Sequence, residues 1–337
     1  MKSNPRRIDL HHHVVVPDLA AELSRRGIEW TGDKGIPSWN LSHDLERMEA
    51  LGIDAAVASF HPHTWWAGID AADIERWTRQ GNQFLARVVQ DNPRRYGGFA
   101  SLPLPDMDAA LRELEYAYDV LGLDGVHLLT SQGGQYPGDP ALEELFQELD
   151  RRSAVVVLHP STKPPSIDHL NLSLPASLVE FVFDTTRTVA NLLYSGTLER
   201  YPSIRYIVPH AGGTIPYLAR RIEMGAQYSP ALRARVPAGV LAYLRRLYYD
   251  TAVSTAPVTL AALREFVGSG QIVYGSDLPH IDGPVQDSFT AALDQSPVFD
   301  AADRAAINRG NALGLFPRFA AEEPAMAANG GVAAVVV

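Results

Sequence analysis

Three consecutive histidines, His11, His12 and His13, follow Asp9 and Leu10 near the start of the chain. An extended chain sends side chains alternately to opposite faces, so His11 and His13 share one face while Leu10 and His12 take the other. Two imidazoles on one face can share a metal ion. Three later fragments offer partners: Leu158-His159-Pro160, Pro209-His210-Ala211-Gly212-Gly213 and Tyr274-Gly275-Ser276-Asp277-Leu278-Pro279. Each places a His or Asp at the end of an apolar, β-branched run, where a parallel strand would stop and a loop begin. Brought together, three imidazoles and a carboxylate would make a divalent metal site. Other side chains could hold a substrate near it. His61 and His63 follow a strand, Trp39, Trp65 and Trp66 could clamp an aromatic ring, and Arg187 and Arg221 could bind a carboxylate or pair with Asp184 and Glu223.

These groups must be positioned by alternating strands and helices. Strands are expected at Ile8–Val14, Ala55–Phe60, Gly98–Leu102, Gly125–Leu129, Ala154–His159, Arg205–Pro209, Leu247–Ala252 and Ile272–Gly275. Val155 to Leu158 is an unbroken apolar run, as expected of a strand covered on both faces. Helices are expected at Asp18–Gly27, at Ser42–Leu51 with Ser42 as cap and Glu46 as a rough capping-box partner, and at Ala71–Asn92, Asp106–Leu121, Asp139–Arg152, Leu174–Glu199 and Tyr217–Gly225. The loop from Trp30 to Trp39 would form a wall or lid. Eight strands with helical segments between them are the pattern of a (β/α)8 TIM barrel, an α/β fold whose active face lies at the strand C-terminal ends. His159, His210 and Asp277 fall at those ends. One barrel domain, 5–318, is expected, with 319–337 as a tail or partner-exchanged arm.

Composition narrows the class. The chain has 337 residues, 46% hydrophobic and 20% charged, enough for a substantial core. Its formal charge is −10 and its arginines are scattered, so a nucleic-acid partner is not expected. The absence of cysteine excludes disulfides, thiolate ligands and a cysteine nucleophile. Neither a secretory leader nor a membrane span is expected, and a soluble cytoplasmic protein fits.

The combination Asp9-x-His11-x-His13, His159, His210-x-Gly212-Gly213 and Gly275-Ser276-Asp277-x-Pro279, in this order, resembles the amidohydrolase superfamily, and specifically its mononuclear decarboxylase-like branch. That branch includes the aminocarboxymuconate-semialdehyde, γ-resorcylate, 5-carboxyvanillate and 6-methylsalicylate decarboxylases. The segment Phe183-Asp184-Thr185-Thr186-Arg187-Thr188-Val189-Ala190-Asn191 is similar to it as well. The resemblance implies His11, His13, His159 and Asp277 as ligands of one divalent metal, zinc first and manganese second. It implies His210 as a residue hydrogen-bonded to metal-bound water or substrate. Many superfamily hydrolases hold a second metal through a carboxylated lysine on strand 4. The only lysines here are Lys2, Lys34 and Lys163, so a single metal is expected. The muconate-type enzymes hold the substrate carboxylate with an arginine in an early loop. The corresponding region here, Trp30 to Trp39, has none. Arg221 matches their second arginine, which reaches into a neighbouring subunit, and a homodimer is expected.

The implied activity is non-oxidative decarboxylation of a small aromatic, salicylate-like, or unsaturated carboxylic acid. Asp277 would deliver a proton to carbon, and His210 would orient the substrate or act as base. Arg187, Arg221, His61, Trp65 and Trp39 would contact the substrate. The first alternative is a mononuclear metal hydrolase of a lactone or amide, and the second a barrel kept as a binding scaffold.

Overall fold

The computed structural model describes residues 6–27, 37, 39–60, 69–132, 134–161 and 174–320. Eight parallel strands run in sequence order: β1 (Arg7–Val14), β2 (Ile53–Phe60), β3 (Tyr96–Ala100), β4 (Gly125–Leu129), β5 (Val155–His159), β6 (Arg205–Val208), β7 (Tyr248–Asp250) and β8 (Ile272–Val273). The seam between last and first strand is closed by backbone bonds, Leu10 N–H to Tyr274 O at 3.0 Å, Asp277 N–H to His11 O at 2.8 Å and His13 N–H to Leu278 O at 2.7 Å. The expected (β/α)8 barrel is therefore present. Among the described residues, no helix is long and apolar enough to cross a membrane.

The helical layer comprises α1 (Pro17–Arg25), α2 (Leu41–Leu51), α3 (Ala71–Asp91), α4 (Met107–Asp119), α5 (Glu143–Arg151), α6 (Glu180–Tyr194), α7 (Thr197–Arg200), α8 (Ile215–Tyr228), α9 (Pro230–Arg235), α10 (Val240–Leu244), α11 (Pro257–Val267), α12 (Gly283–Gln295), α13 (Ala301–Ala305) and α14 (Asn311–Leu315). Helices α11 and α12, which follow β7 and β8, were not foreseen. Two expected details are corrected. Asn40, not Ser42, caps α2, its side chain accepting the His43 N–H at 2.9 Å, which satisfies one of the helix's orphan donors. The single helix expected over Leu174–Glu199 is broken: Gly196, at φ 80°, turns the chain between α6 and α7.

Two apolar layers follow from the strand period. Ala56, Ala58, Phe60, Val126, Leu128, Val156, Leu158 and Val208 face the helices. Ile8, Leu10, Ala55, Val57, Phe99, Val155, Val157, Ile207 and Val273 form a second cluster, joined by Ala312, Leu315, Phe316 and Phe319. This second set fills the barrel, with the α14 region as its plug. The layering leaves the strand C-terminal ends for polar side chains.

Strand β1 departs from strict alternation. Asp9 pairs with Ala56 and His12 with Ala58, so β1 spends one more residue than β2 across this span. This is a β-bulge at Leu10 and His11. Leu10 joins the barrel-filling cluster, while His11 meets the donors at the strand ends. The expectation that Leu10 and His12 share a face is thus corrected: the bulge lets neighbouring residues both turn inward, and leaves His12 facing the helical layer.

Candidate metal centre

His11, His13, His159 and Asp277 are all buried, and their donor atoms lie within 4.8 Å of one another. Strand β1 brings two, the end of β5 one, and the turn after β8 the fourth. Asp277 Oδ1 sits 3.4 Å from His11 Nε2 and 3.3 Å from His13 Nε2. Gly275 makes this approach possible, because a Cβ there would lie 2.8 Å from the His11 Cβ. Asp277 adopts φ 65°, and His210, Ala211 and Val253, at the ends of β6 and β7, also have positive φ. Such backbone costs about 1 kcal/mol or more per residue. It clusters at the face where the chemistry is expected.

The ring nitrogens turned away from the cluster are held by the chain. His11 Nδ1 lies 2.6 Å from Asp250 Oδ2, His13 Nδ1 lies 2.9 Å from Ser59 Oγ, and His159 Nδ1 lies 3.0 Å from Pro160 O. Each Nε2 is thereby aimed inward, the orientation that metal-binding histidines use. Asp250 Oδ1 also accepts the N–H groups of His210, at 2.8 Å, and Ala252, at 3.0 Å.

The carboxylates beside the cluster favour positive charge at His11. Burial opposes a charge on His11, yet Asp250 and then Asp277 outweigh it and raise the imidazole to about 10. Burial would raise Asp277, but His11 and His13 hold it well below the ordinary carboxylate range. His13 is pushed down by burial, then by His280 and His11. His159 is likewise pushed down, by burial and then by His13 and His11. Three convergent imidazoles and a carboxylate, with a place for a single cation, fit a divalent metal.

His210 follows β6 with its ring centroid 5.1 Å from that of His11. Burial, then His11, lowers its pKa, which favours the neutral ring. Its Nδ1 makes no hydrogen bond among the described residues. His12 faces the other way: Nδ1 lies 3.1 Å from Asp9 Oδ2 and Nε2 lies 2.9 Å from Asp44 Oδ2. Asp44 also accepts the Tyr96 hydroxyl at 2.7 Å, and Asp9 accepts the Ser276 N–H at 3.1 Å. His12 therefore belongs to the frame that joins α2, β3 and the β8–β1 seam.

The substrate-contact candidates are dispersed. Trp39 packs edge-on against Phe84 of α3. Arg187 of α6 lies 3.9 Å from Glu180, and Arg221 is exposed on α8, where Arg220 rather than Arg221 pairs with Glu223. His61 and Trp65, with His63 and Trp66, lie outside the described residues. Residues not singled out beforehand also belong here. Asp250 ends β7, the His127 ring of β4 lies tilted 5.6 Å from that of His159, and His280 lies 4.9 Å from His13. Burial, then His11, pushes His127 down to about 3. Asp250 follows the Tyr-Tyr pair of a short strand, and that strand-end carboxylate was the available signal.

An amidohydrolase family model matches residues 8–318. The chain belongs to the amidohydrolase family. This amidohydrolase is 34% identical over 315 residues to 6-methylsalicylic acid decarboxylase of Penicillium expansum, covering 93% of this chain and 96% of that one. A solved structure described as an amidohydrolase II has a TM-score of 0.83 at 29% identity, covering 92% of this chain and 99% of the other. The dihydroxybenzoic acid decarboxylase of Polaromonas sp. JS666, solved with bound manganese and the inhibitor 2-nitroresorcinol, shares the fold. Its TM-score is 0.76 at 22% identity, covering 93% of this chain and 97% of that one.

Proposed function

We propose that this amidohydrolase is a metal-dependent, non-oxidative decarboxylase of a small aromatic, salicylate-like acid, acting as a cytoplasmic homodimer. The observation that carries the reading is the buried cluster of His11, His13, His159 and Asp277, in a chain that matches a 6-methylsalicylic acid decarboxylase along 93% of its length. The same likeness speaks for a carboxy-lyase over hydrolysis of a lactone or amide, and the intact donor set speaks against a scaffold without turnover.

In this reading His11, His13, His159 and Asp277 hold one divalent ion. Zinc is favoured by three imidazole donors, with manganese second. When bound, the ion would supply Lewis-acid charge beside the substrate's carboxylate and adjacent oxygen, offsetting the charge that passes into the ring and its oxygen as CO2 leaves. The chain does the rest. His210, neutral and with Nδ1 available, orients the substrate or accepts a proton from it. Asp277 takes up a proton and passes it to the ring carbon as the carbon–carboxylate bond breaks, giving the arene and CO2.

Arg187, Trp39, His61 and Trp65 are assigned to the substrate pocket. Arg221 is assigned to a neighbouring copy's pocket. It shares one face of α8 with Tyr217, Met224 and Tyr228, which are 87%, 38% and 75% exposed. A stripe of large apolar groups at helical spacing marks an interface, and a second copy seated there would carry Arg221 inward. Residues 5–318 are assigned to the barrel domain and 319–337 to a tail.

The test is metal analysis together with CO2 release from hydroxybenzoic acids, 6-methylsalicylate among them. One metal per chain and one CO2 per acid consumed are expected. Bound metal with no CO2 from any acid, and turnover of a lactone or amide instead, would overturn the assignment.

A further inference from the structure

A buried network behind His159 leads to α6. Thr130, the residue after β4, donates its N–H to the His159 carbonyl at 2.7 Å, and its Oγ1 accepts the Ser161 N–H at 2.9 Å. One residue thus grips the chain at His159 and again two residues on, bracketing Pro160. Thr130 Oγ1 in turn donates to Asp184 Oδ2. Asp184 also receives the Ser131 hydroxyl at 3.1 Å and, on Oδ1, the Tyr136 hydroxyl at 2.7 Å. Thr188, one turn further along α6, donates to the Thr130 carbonyl at 2.7 Å. Asp184, Thr130 and Thr188 are fully buried.

A carboxylate is costly in such a place unless it is fully hydrogen-bonded. What it adds is direction. A hydroxyl can donate or accept, whereas an ionised carboxylate only accepts. Asp184 therefore commits the Thr130 hydroxyl hydrogen to itself and leaves an Oγ1 lone pair facing the Ser161 N–H. The same helix holds the next strand end: Thr186 Oγ1 accepts the Thr214 N–H at 2.9 Å, just beyond the His210 turn.

We propose that Asp184 is a positioning residue for His159: through Thr130 it fixes the strand end that carries this imidazole, and so sets the affinity of the centre for its cation. This rests on the reading of His159 as a ligand. The network lies outside the cluster itself and was not needed to define it.

The test uses the full-length protein and the variants D184N, T130V and T130S. Zinc affinity is measured by competition with a chelating indicator, beside thermal midpoints and kcat. D184N and T130V are expected to weaken zinc binding roughly 10- to 100-fold, as loss of partners behind a metal ligand does. T130S keeps the hydroxyl and is expected to bind zinc like wild type, although it loses a buried methyl and melts earlier. A merely structural role predicts instead that any loss of zinc affinity follows the loss in thermal midpoint across all three variants, T130S included. Wild-type affinity in both D184N and T130V overturns the proposal. Should D184N fail to fold, the T130V and T130S pair decides alone. Wild-type protein that binds no zinc would instead refute the ligand reading, and wild-type protein that binds zinc but releases no CO2 would refute only the activity.

Discussion

Replacing Asp250 with asparagine tests the reasoning about the metal centre most directly. Asp250 and His11 are buried, with Oδ2 and Nδ1 2.6 Å apart, and the carboxylate obliges Nδ1 to carry the hydrogen. Nε2 is then left with its lone pair toward His13, His159 and Asp277. In Asp250→Asn, the side-chain oxygen can still accept the N–H groups of His210 and Ala252, so the backbone around β7 is preserved. The new NH2 group, however, faces His11 Nδ1 and stabilises the tautomer with its hydrogen on Nε2, which cannot bind a metal. The expected loss is about 10- to 100-fold in metal affinity, or about 1.4 to 2.7 kcal/mol. The pH dependence should change as well. His11 titrates at about 10 in the metal-free site, so metal must displace a proton below that pH. Wild-type affinity should rise about tenfold per pH unit through the neutral range. In Asp250→Asn the larger of the two raising charges is gone, Asp277 remaining, and the slope should flatten. The assay is chelator competition at several pH values, with circular dichroism confirming the fold. Equal affinity and equal slope in the two proteins would refute both the tautomer argument and the place of His11 in the cluster.

Other outcomes are equally specific. His159→Ala and Asp277→Ala should abolish CO2 release while leaving the circular dichroism spectrum of a folded barrel, because the core is built from apolar layers that neither side chain joins; loss of folded signal in both would contradict this. Asp44→Ala should flatten the alkaline side of the stability profile. His12 is raised to about 10 because Asp44 and Asp9 outweigh burial, so its stabilisation is full below its unfolded pKa of about 6.5. It is then lost as pH rises through about 10, and the gap between the thermal midpoints of wild type and variant, measured in metal-loaded protein, should narrow there to what the lost Tyr96 hydrogen bond leaves. Gly213→Ala should destabilise by at least about 1 kcal/mol, since Gly213 has φ 62° and a Cβ would fall 2.2 Å from the Val182 carbonyl oxygen. An unchanged denaturation midpoint would show that the His210 turn is not held against α6.

The barrel and its four convergent donors were legible because both depend on local pattern. Val155 to Leu158 is the run expected of a strand covered on both faces, and a histidine ending such a strand falls at the barrel's mouth. The rest depended on contacts between distant residues. Strict alternation put Leu10 with His12, and no local signal announced the bulge that turns Leu10 inward beside His11. Asp250 and His127 were passed over because their roles appear only when β7 and β4 are set beside β1 and β5. Asn40 took the cap from Ser42 because helix boundaries read from sequence shift by a residue or two.

The seam between β8 and β1 has a consequence for how the protein is made. His11 and His13 emerge first from the ribosome, and their carboxylate partner Asp277 emerges more than 260 residues later. At ordinary synthesis rates the interval is on the order of tens of seconds. Throughout it, nascent chains carry exposed imidazoles without the strand that gathers them, and offer only a weak, open chelate. Tight metal capture thus begins when the eighth strand docks on the first, so that loading reports completion of the fold. A cell short of the divalent metal would accumulate barrels that are finished but empty, rather than chains arrested part-way.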